Sequence, residues 1–214
     1  MREATPKERM LKKIRRALIE KTDLPYPKIE EQTNVFSSSD EILEIQFAEE
    51  FSKVNGHFIF CEDKEQSVAN LLDLINQKKW KELFCFEKEL KEWLVLLIPN
   101  LSTNDEQFTE ANVGITTCDA LIARTGSILI SSGTESGRRL SIYPNIHIVI
   151  AYTSQLCLDI NAAMDMLLKK NKGQMPSMIS TTTGPSRTAD IEKTLVLGAH
   201  GPKEIYLLLI DDQQ

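Results

Sequence analysis

The sequence predicts an α/β fold with a parallel sheet, preceded by a short helical N-terminal region. Three observations carry this. From His57 to Leu97, short apolar runs alternate with stripes of helical spacing, and repeated strand–helix units of that length favour a parallel sheet. Ile146 to Tyr152 is apolar and β-branched, the composition of a central strand covered on both faces. A last apolar run, Ile205 to Ile210, supplies a further buried strand.

Taken in order, the first element is a helix. Met10, Leu11, Ile14, Ala17 and Leu18 recur at spacings of three and four, with Lys12, Lys13, Arg15 and Arg16 largely off that stripe. A basic amphipathic helix of this kind packs on its own domain or touches a membrane surface or a partner. Pro25 and Pro27 break the chain, Ser37-Ser-Ser-Asp40 offers an N-cap, and Leu43, Phe47, Phe51 and Val54 form the next stripe, ended by Asn55-Gly56. His57–Cys61 then reads as a strand, Val68, Leu71, Leu72 and Ile75 as a helix face, and Leu83–Phe86 as a second strand. Leu90, Trp93, Leu94 and Leu97 make a second helix face closed by Pro99. Ala120–Ala123 and Ser127–Ser131 flank Thr125-Gly126, which predicts a hairpin near residues 118–131. Asp159–Leu168 reads as a helix and Met178–Thr182 as a strand. The division expected is a helical region over 1–55 and an α/β domain over 56–214.

Composition excludes several classes. The 214 residues carry 25 Lys+Arg against 31 Asp+Glu, a net charge of −6, which argues against a dedicated nucleic-acid binder. The basic residues concentrate at the start: Met1 to Arg16 holds seven against two Glu, or +5, leaving −11 for the rest. No apolar run approaches the ~20 residues of a membrane span, so no integral membrane segment is expected. Cys61, Cys85, Cys118 and Cys157 are far apart, and no Cys-x-x-Cys pair exists. Closely spaced iron–sulfur or zinc ligands are therefore missing, and no metal or other cofactor is expected. Without a signal peptide, the thiols read as the reduced residues of a cytoplasmic protein. Neither Gly-x-x-x-x-Gly-Lys-Ser/Thr, Gly-x-Gly-x-x-Gly nor Gly-x-Ser-x-Gly occurs.

Chemistry is expected in three polar, glycine-bearing segments beside strand ends, where α/β sheets usually bind ligands at the carboxyl edge. These are Gly114–Asp119 with Arg124–Ser127, Ser131–Arg139, and Thr181–Asp190 followed by Gly198–Pro202. In the third, Gly184 frees the backbone and Ser186 or Thr188 can cap a following helix. The N–H groups of that helix, with Arg187, would attract a small anion, a carboxylate or a phosphate. Asp190 would meet the helix dipole; a tight turn with a cap explains the same residues. Arg138 and Arg139, in a loop where Gly133 and Gly137 let the backbone approach a ligand, are either further anion ligands or surface arginines. Glu135 is the carboxylate placed to act as nucleophile or base, or else an exposed loop residue. His200 is either a general base or a partner for backbone groups in its loop. His147 is expected to be a hydrogen-bonded strand residue.

Gly184-Pro-Ser-Arg-Thr-Ala-Asp-Ile-Glu192 with Leu195-Val-Leu-Gly-Ala-His-Gly-Pro202 resembles the C-terminal signature of the LUD-domain family, bacterial lactate utilization protein C (LutC or YkgG). Gly114 to Ser131, Gly137-Arg138, Pro144 and His147-Ile148 resemble its central signature. The likeness covers roughly residues 55–214. It implies a three-layer α/β fold of the NagB/RpiA/CoA-transferase type. It also implies a non-redox component of an L-lactate utilization system, oxidising lactate to pyruvate beside iron–sulfur subunits. Where members commonly read Ala-Glu-Thr-Gly, this chain has Ala123-Arg-Thr-Gly126, a reversed charge near the expected pocket. The alternative is a stand-alone enzyme of the sugar-phosphate isomerase, CoA-transferase or cyclo-ligase type acting on a phosphorylated or carboxylate substrate. A regulatory protein that recruits a partner through its basic helix is a third possibility.

Overall fold

Burial on both faces decides where the central strands lie. A computed structural model describes residues 5–19, 42–136, 138–191 and 194–213. Within the compact unit 41–214, six strands form one all-parallel sheet in the order β1-β12-β7-β4-β2-β3. They are β1 His57–Cys61, β2 Leu83–Cys85, β3 Leu101–Ser102, β4 Val113–Thr116, β7 Ile146–Tyr152 and β12 Glu204–Ile210. Residues of β7 alternate between two cores. Ile146, Ile148 and Ile150 face one, with Leu71 of α3 (Lys64–Lys78) and Leu90 and Leu94 of α4 (Lys88–Leu97). Val149 and Ala151 face the other, with Phe47 and Phe51 of α2 (Leu43–Lys53).

The second core is closed by another sheet, β8-β5-β6-β9, made of β5 Ala120–Ile122, β6 Ser127–Ser131, β8 Leu156–Cys157 and β9 Ile179–Thr182. Its outer face packs on Ala163 and Leu167 of α5, Ile160–Lys170. The expected hairpin exists as antiparallel β5–β6, with Gly126 at φ +57° in its turn. A Cβ there would lie 2.3 Å from Phe51 N, so the hairpin turn rests directly on α2. That helix, read from sequence into the N-terminal region, is part of the 41–214 core, with Phe47 and Phe51 fully buried. The N-cap expected at Ser37–Asp40 lies outside the described residues.

Two expectations are refined or corrected. Gly114, read with a polar segment beside a strand end, lies inside β4, a central strand buried along its length. Four residues are too few to show periodicity, and the glycine hides the strand; a Cβ there would sit 2.5 Å from Leu140 O. No helix follows Gly184. Residues Arg187–Ile191 (β10) and Thr194–Leu197 (β11) form an antiparallel hairpin instead. The β-branched residues Thr188, Ile191, Thr194 and Val196 favour strand over helix.

Apart from this unit, α1 spans Pro6–Ile19. Thr5 and Glu8 close a reciprocal cap: Thr5 N donates to Glu8 Oε2 (2.7 Å) and Glu8 N to Thr5 Oγ1 (3.3 Å). Among the described residues no helix is long and apolar enough to cross a membrane.

Phe51→Ala removes a ring stacked on Phe47 at 5.4 Å between centroids from under the hairpin turn. It should cost about 3–5 kcal/mol, read as a lower urea midpoint with an unchanged m-value.

Candidate functional site

The chain's candidate ligand groups fall at opposite edges of the parallel sheet. At the amino edge, the residues leading into β7 and β12 meet the end of β9 around a pocket of about 380 Å³. Ser186, Arg187 and His200 line it together with the hydroxyl run Ser180–Thr183, Ser141 and the backbone of Gly184. Local hydrogen bonds hold this shape. Ser186 N donates to Pro202 O (2.8 Å) and Gly198 N to Ser186 O (3.0 Å), so segments 184–187 and 198–202 are stitched together. Gly184 adopts φ +79°, and a Cβ would lie 2.3 Å from Val54 O; only glycine lets the loop approach the end of α2. Arg187 Nη2 donates to that same Val54 carbonyl (3.2 Å). The pocket thus offers one guanidinium, one imidazole and several hydroxyls, a donor set suited to a small anion.

The carboxyl edge carries different chemistry. Glu87, at the end of β2, is 2% exposed, and its carboxyl accepts from Glu135 N (Oε2, 3.3 Å) and Ser136 N (Oε1, 3.3 Å). Burial pushes Glu87 up to about 7, and its hydrogen bond to the Glu135 carboxyl pushes the same way. That bond holds Glu135 below its ordinary value. Below about pH 7 the pair therefore favours holding one proton, on Glu87 and directed at the Glu135 carboxylate. The pair opens on a cleft of about 450 Å³, also lined by Thr117, Thr134 and Lys170. Lys170 Nζ is bound to Asp119 Oδ1 at 2.7 Å and borders a neighbouring cleft with Lys64, Tyr152 and Asp212. Glu87 went unnoticed in the sequence because it stands in a run of surface-like charges, Glu87-Lys-Glu89.

Of the residues read from sequence, Gly184, Ser186, Arg187 and His200 are brought together, and Glu135 lies apart from them. Arg138 and Arg139 line neither pocket. Arg138 Nη2 donates to Ser177 Oγ (2.8 Å). Arg139 Nη1 bonds Asp105 Oδ2 (3.1 Å), its guanidinium 5.2 Å from the Phe86 ring centroid and 5.7 Å from that of Phe108. Both tie loops down. Thr188 and Asp190 lie in β10, a strand where the sequence predicted a helix. Gly137 lies outside the described residues. Arg124 lines none of the three cavities, so its reversed charge falls outside the pocket. His147 is fully buried, hydrogen-bonded through Nε2 to Thr116 Oγ1 (2.9 Å), and burial lowers it to about 4. Among the described residues no three His, Cys, Asp or Glu side chains cluster as metal ligands would.

The family model described as LUD domain matches residues 45–210. An uncharacterized protein of Neisseria meningitidis serogroup B is 33% identical over 129 residues, 60% of this chain and 51% of its own length. Lactate utilization protein C of Bacillus subtilis is 35% identical over 112 residues, 51% of this chain and 47% of its own length. The protein of the same name from Shouchella clausii is 37% identical over 109 residues, 50% and 48% respectively. The chain thus spans about half the length of the curated relatives it matches. A DUF162 family protein from Deinococcus radiodurans, 15% identical, shares the fold with a TM-score of 0.59 over 78% of this chain and 96% of that one.

The Glu87 proton has a measurable consequence. A carboxyl whose folded value is raised from 4.5 to about 7 costs stability as pH climbs through that window, because the folded state holds a proton the unfolded chain releases. Glu87→Gln should therefore gain on the wild type between pH 5 and pH 8, by on the order of 1–2 kcal/mol. Urea denaturation at the two pH values measures it; an unchanged difference removes the shared proton.

Proposed function

This chain belongs to the LUD-domain family, and from that premise we propose that it serves lactate utilization as a non-redox component binding a small carboxylate at the amino-edge pocket. One observation carries the reading: segments 180–187 and 200–202, joined by the β10–β11 hairpin, converge with Ser141, from far earlier in the chain, on one hydroxyl-lined cavity that holds Arg187 and His200. Arg187 offers the fixed fork that a carboxylate accepts, and the hydroxyls supply further donors. His200 sits where it can donate to the ligand or take its proton. The names of the Bacillus and Shouchella relatives support lactate utilization. Oxidation of lactate to pyruvate needs an electron acceptor, which this reading assigns to iron–sulfur partner subunits.

A second reading rests on the Glu87–Glu135 pair. A protonated and an ionised carboxyl side by side in a cleft can act as acid and base, which suits a stand-alone enzyme acting on a phosphorylated or carboxylate substrate, with Glu135 as nucleophile or base. It predicts thermal stabilisation by a phosphosugar, acyl-CoA or folate that Glu135→Gln abolishes; no stabilisation across that panel rejects it.

For the favoured reading, calorimetric titration of the full chain with L-lactate and with pyruvate is the test. Arg187→Ala should weaken binding at least about tenfold through loss of a charge-assisted bond, and His200→Ala should weaken it less. Equal affinity in wild type and Arg187→Ala, or no binding of either acid, overturns it. In a bacterium dependent on this chain for growth on L-lactate, the same substitution should slow growth.

A further inference from the structure

We infer that α1 is a peripheral lipid-binding helix that docks on anionic membrane headgroups. The argument begins with what the helix leaves uncovered. Every residue of α1 is exposed, including Met10 at 63%, Ile14 at 47% and Leu18 at 70%. At 100° per residue, Met10, Leu11, Ile14, Ala17 and Leu18 share one face, with Lys7 at its amino end, while Arg9, Lys12, Lys13, Arg15 and Arg16 lie on the other side together with Glu8 and Ile19. Six Lys/Arg against one Glu give these 14 residues +5, against −11 for the remaining chain.

A helix of this length is marginal in water unless its apolar stripe is covered. Its amino end is nonetheless prepared locally: Pro6 occupies the first turn, and the Thr5–Glu8 cap needs no tertiary support. The helix is thus encoded to form where a surface awaits it.

Charge and side-chain type select the surface. The cationic arc borders the apolar stripe on both sides, through Lys13 and Arg15, and long basic side chains can bury their stems while their charged ends reach phosphate. The apolar residues are aliphatic, and none is the aromatic anchor that dominates protein–protein hot spots. A lipid headgroup layer presents negative charge across its whole plane, matching a wide basic arc. The acidic remainder of the chain is repelled by the same layer, which confines contact to α1. This docking is independent of the pocket at the amino edge.

Cosedimentation of the full chain with vesicles tests it, using phosphatidylcholine alone and phosphatidylcholine mixed with phosphatidylglycerol. Binding is expected to the anionic vesicles only, falling steeply with added salt. Lys12→Glu with Arg16→Glu should weaken it about tenfold or more, and Ile14→Asp, which interrupts the apolar stripe, should also release the chain. Thermal unfolding of residues 41–214 should be unmoved by either change. No binding to anionic vesicles at low salt overturns the inference. So does binding insensitive to Ile14→Asp, and so does α1-dependent capture of an acidic protein without vesicle binding.

Discussion

The pairing of β7 with β12 is the constraint on which the remaining structure depends. Seven residue pairs run in parallel register, from Glu204 beside Ile146 to Ile210 beside Tyr152, and both strands are buried on both faces. Two strands with no solvent face require cover on each side, which α3 and α4 provide on one and α2 with the second sheet on the other. Parallel strands also bring all their starts to one edge and all their ends to the other. The amino edge of this pair receives Ser141 and Pro202, and hence the hydroxyl-lined pocket. The carboxyl edge receives Thr153 and Asp212, joined by a 2.8 Å hydrogen bond, beside the clefts that hold Lys170 and Glu87.

Separation of the two edges keeps two kinds of chemistry apart. A guanidinium close to the Glu87–Glu135 pair would favour the ionised form of both acids and release the shared proton. Arg187 instead points to the end of α2, at the far edge, where Val54 O holds it. Arg138 and Arg139, nearer the carboxyl pair in sequence, are occupied by Ser177 and Asp105. The second sheet links the edges mechanically. Ser131, at one end of β6, leads into the Glu135 loop, while Ser127, at the other, is hydrogen-bonded to Thr183 at 2.7 Å. A rigid strand therefore spans the distance between pocket and carboxyl pair.

Charge is segregated along the chain in the same manner as chemistry is across the sheet. The basic residues of α1 stand before an acidic remainder, so an anionic surface attracts one part of the chain and repels the other.

Local pattern alone determined much of this protein. The strands at 57–61, 146–152 and 205–210 were legible because their apolar runs are continuous, and α1, α3 and α5 because their stripes recur at helical spacing. The pocket residues Gly184, Ser186, Arg187 and His200 were legible as a set of glycine, hydroxyl, guanidinium and imidazole in short loops. Tertiary structure decided the rest, since it depends on contacts between distant residues. Gly114 belongs to a strand because Val113 and Ile115 are covered by β7 and β2. Arg187 begins a strand because its partner, Leu197, lies across a hairpin. Glu87 is pushed above the usual carboxylate range by burial and by the Glu135 loop, 48 residues away, that closes over it.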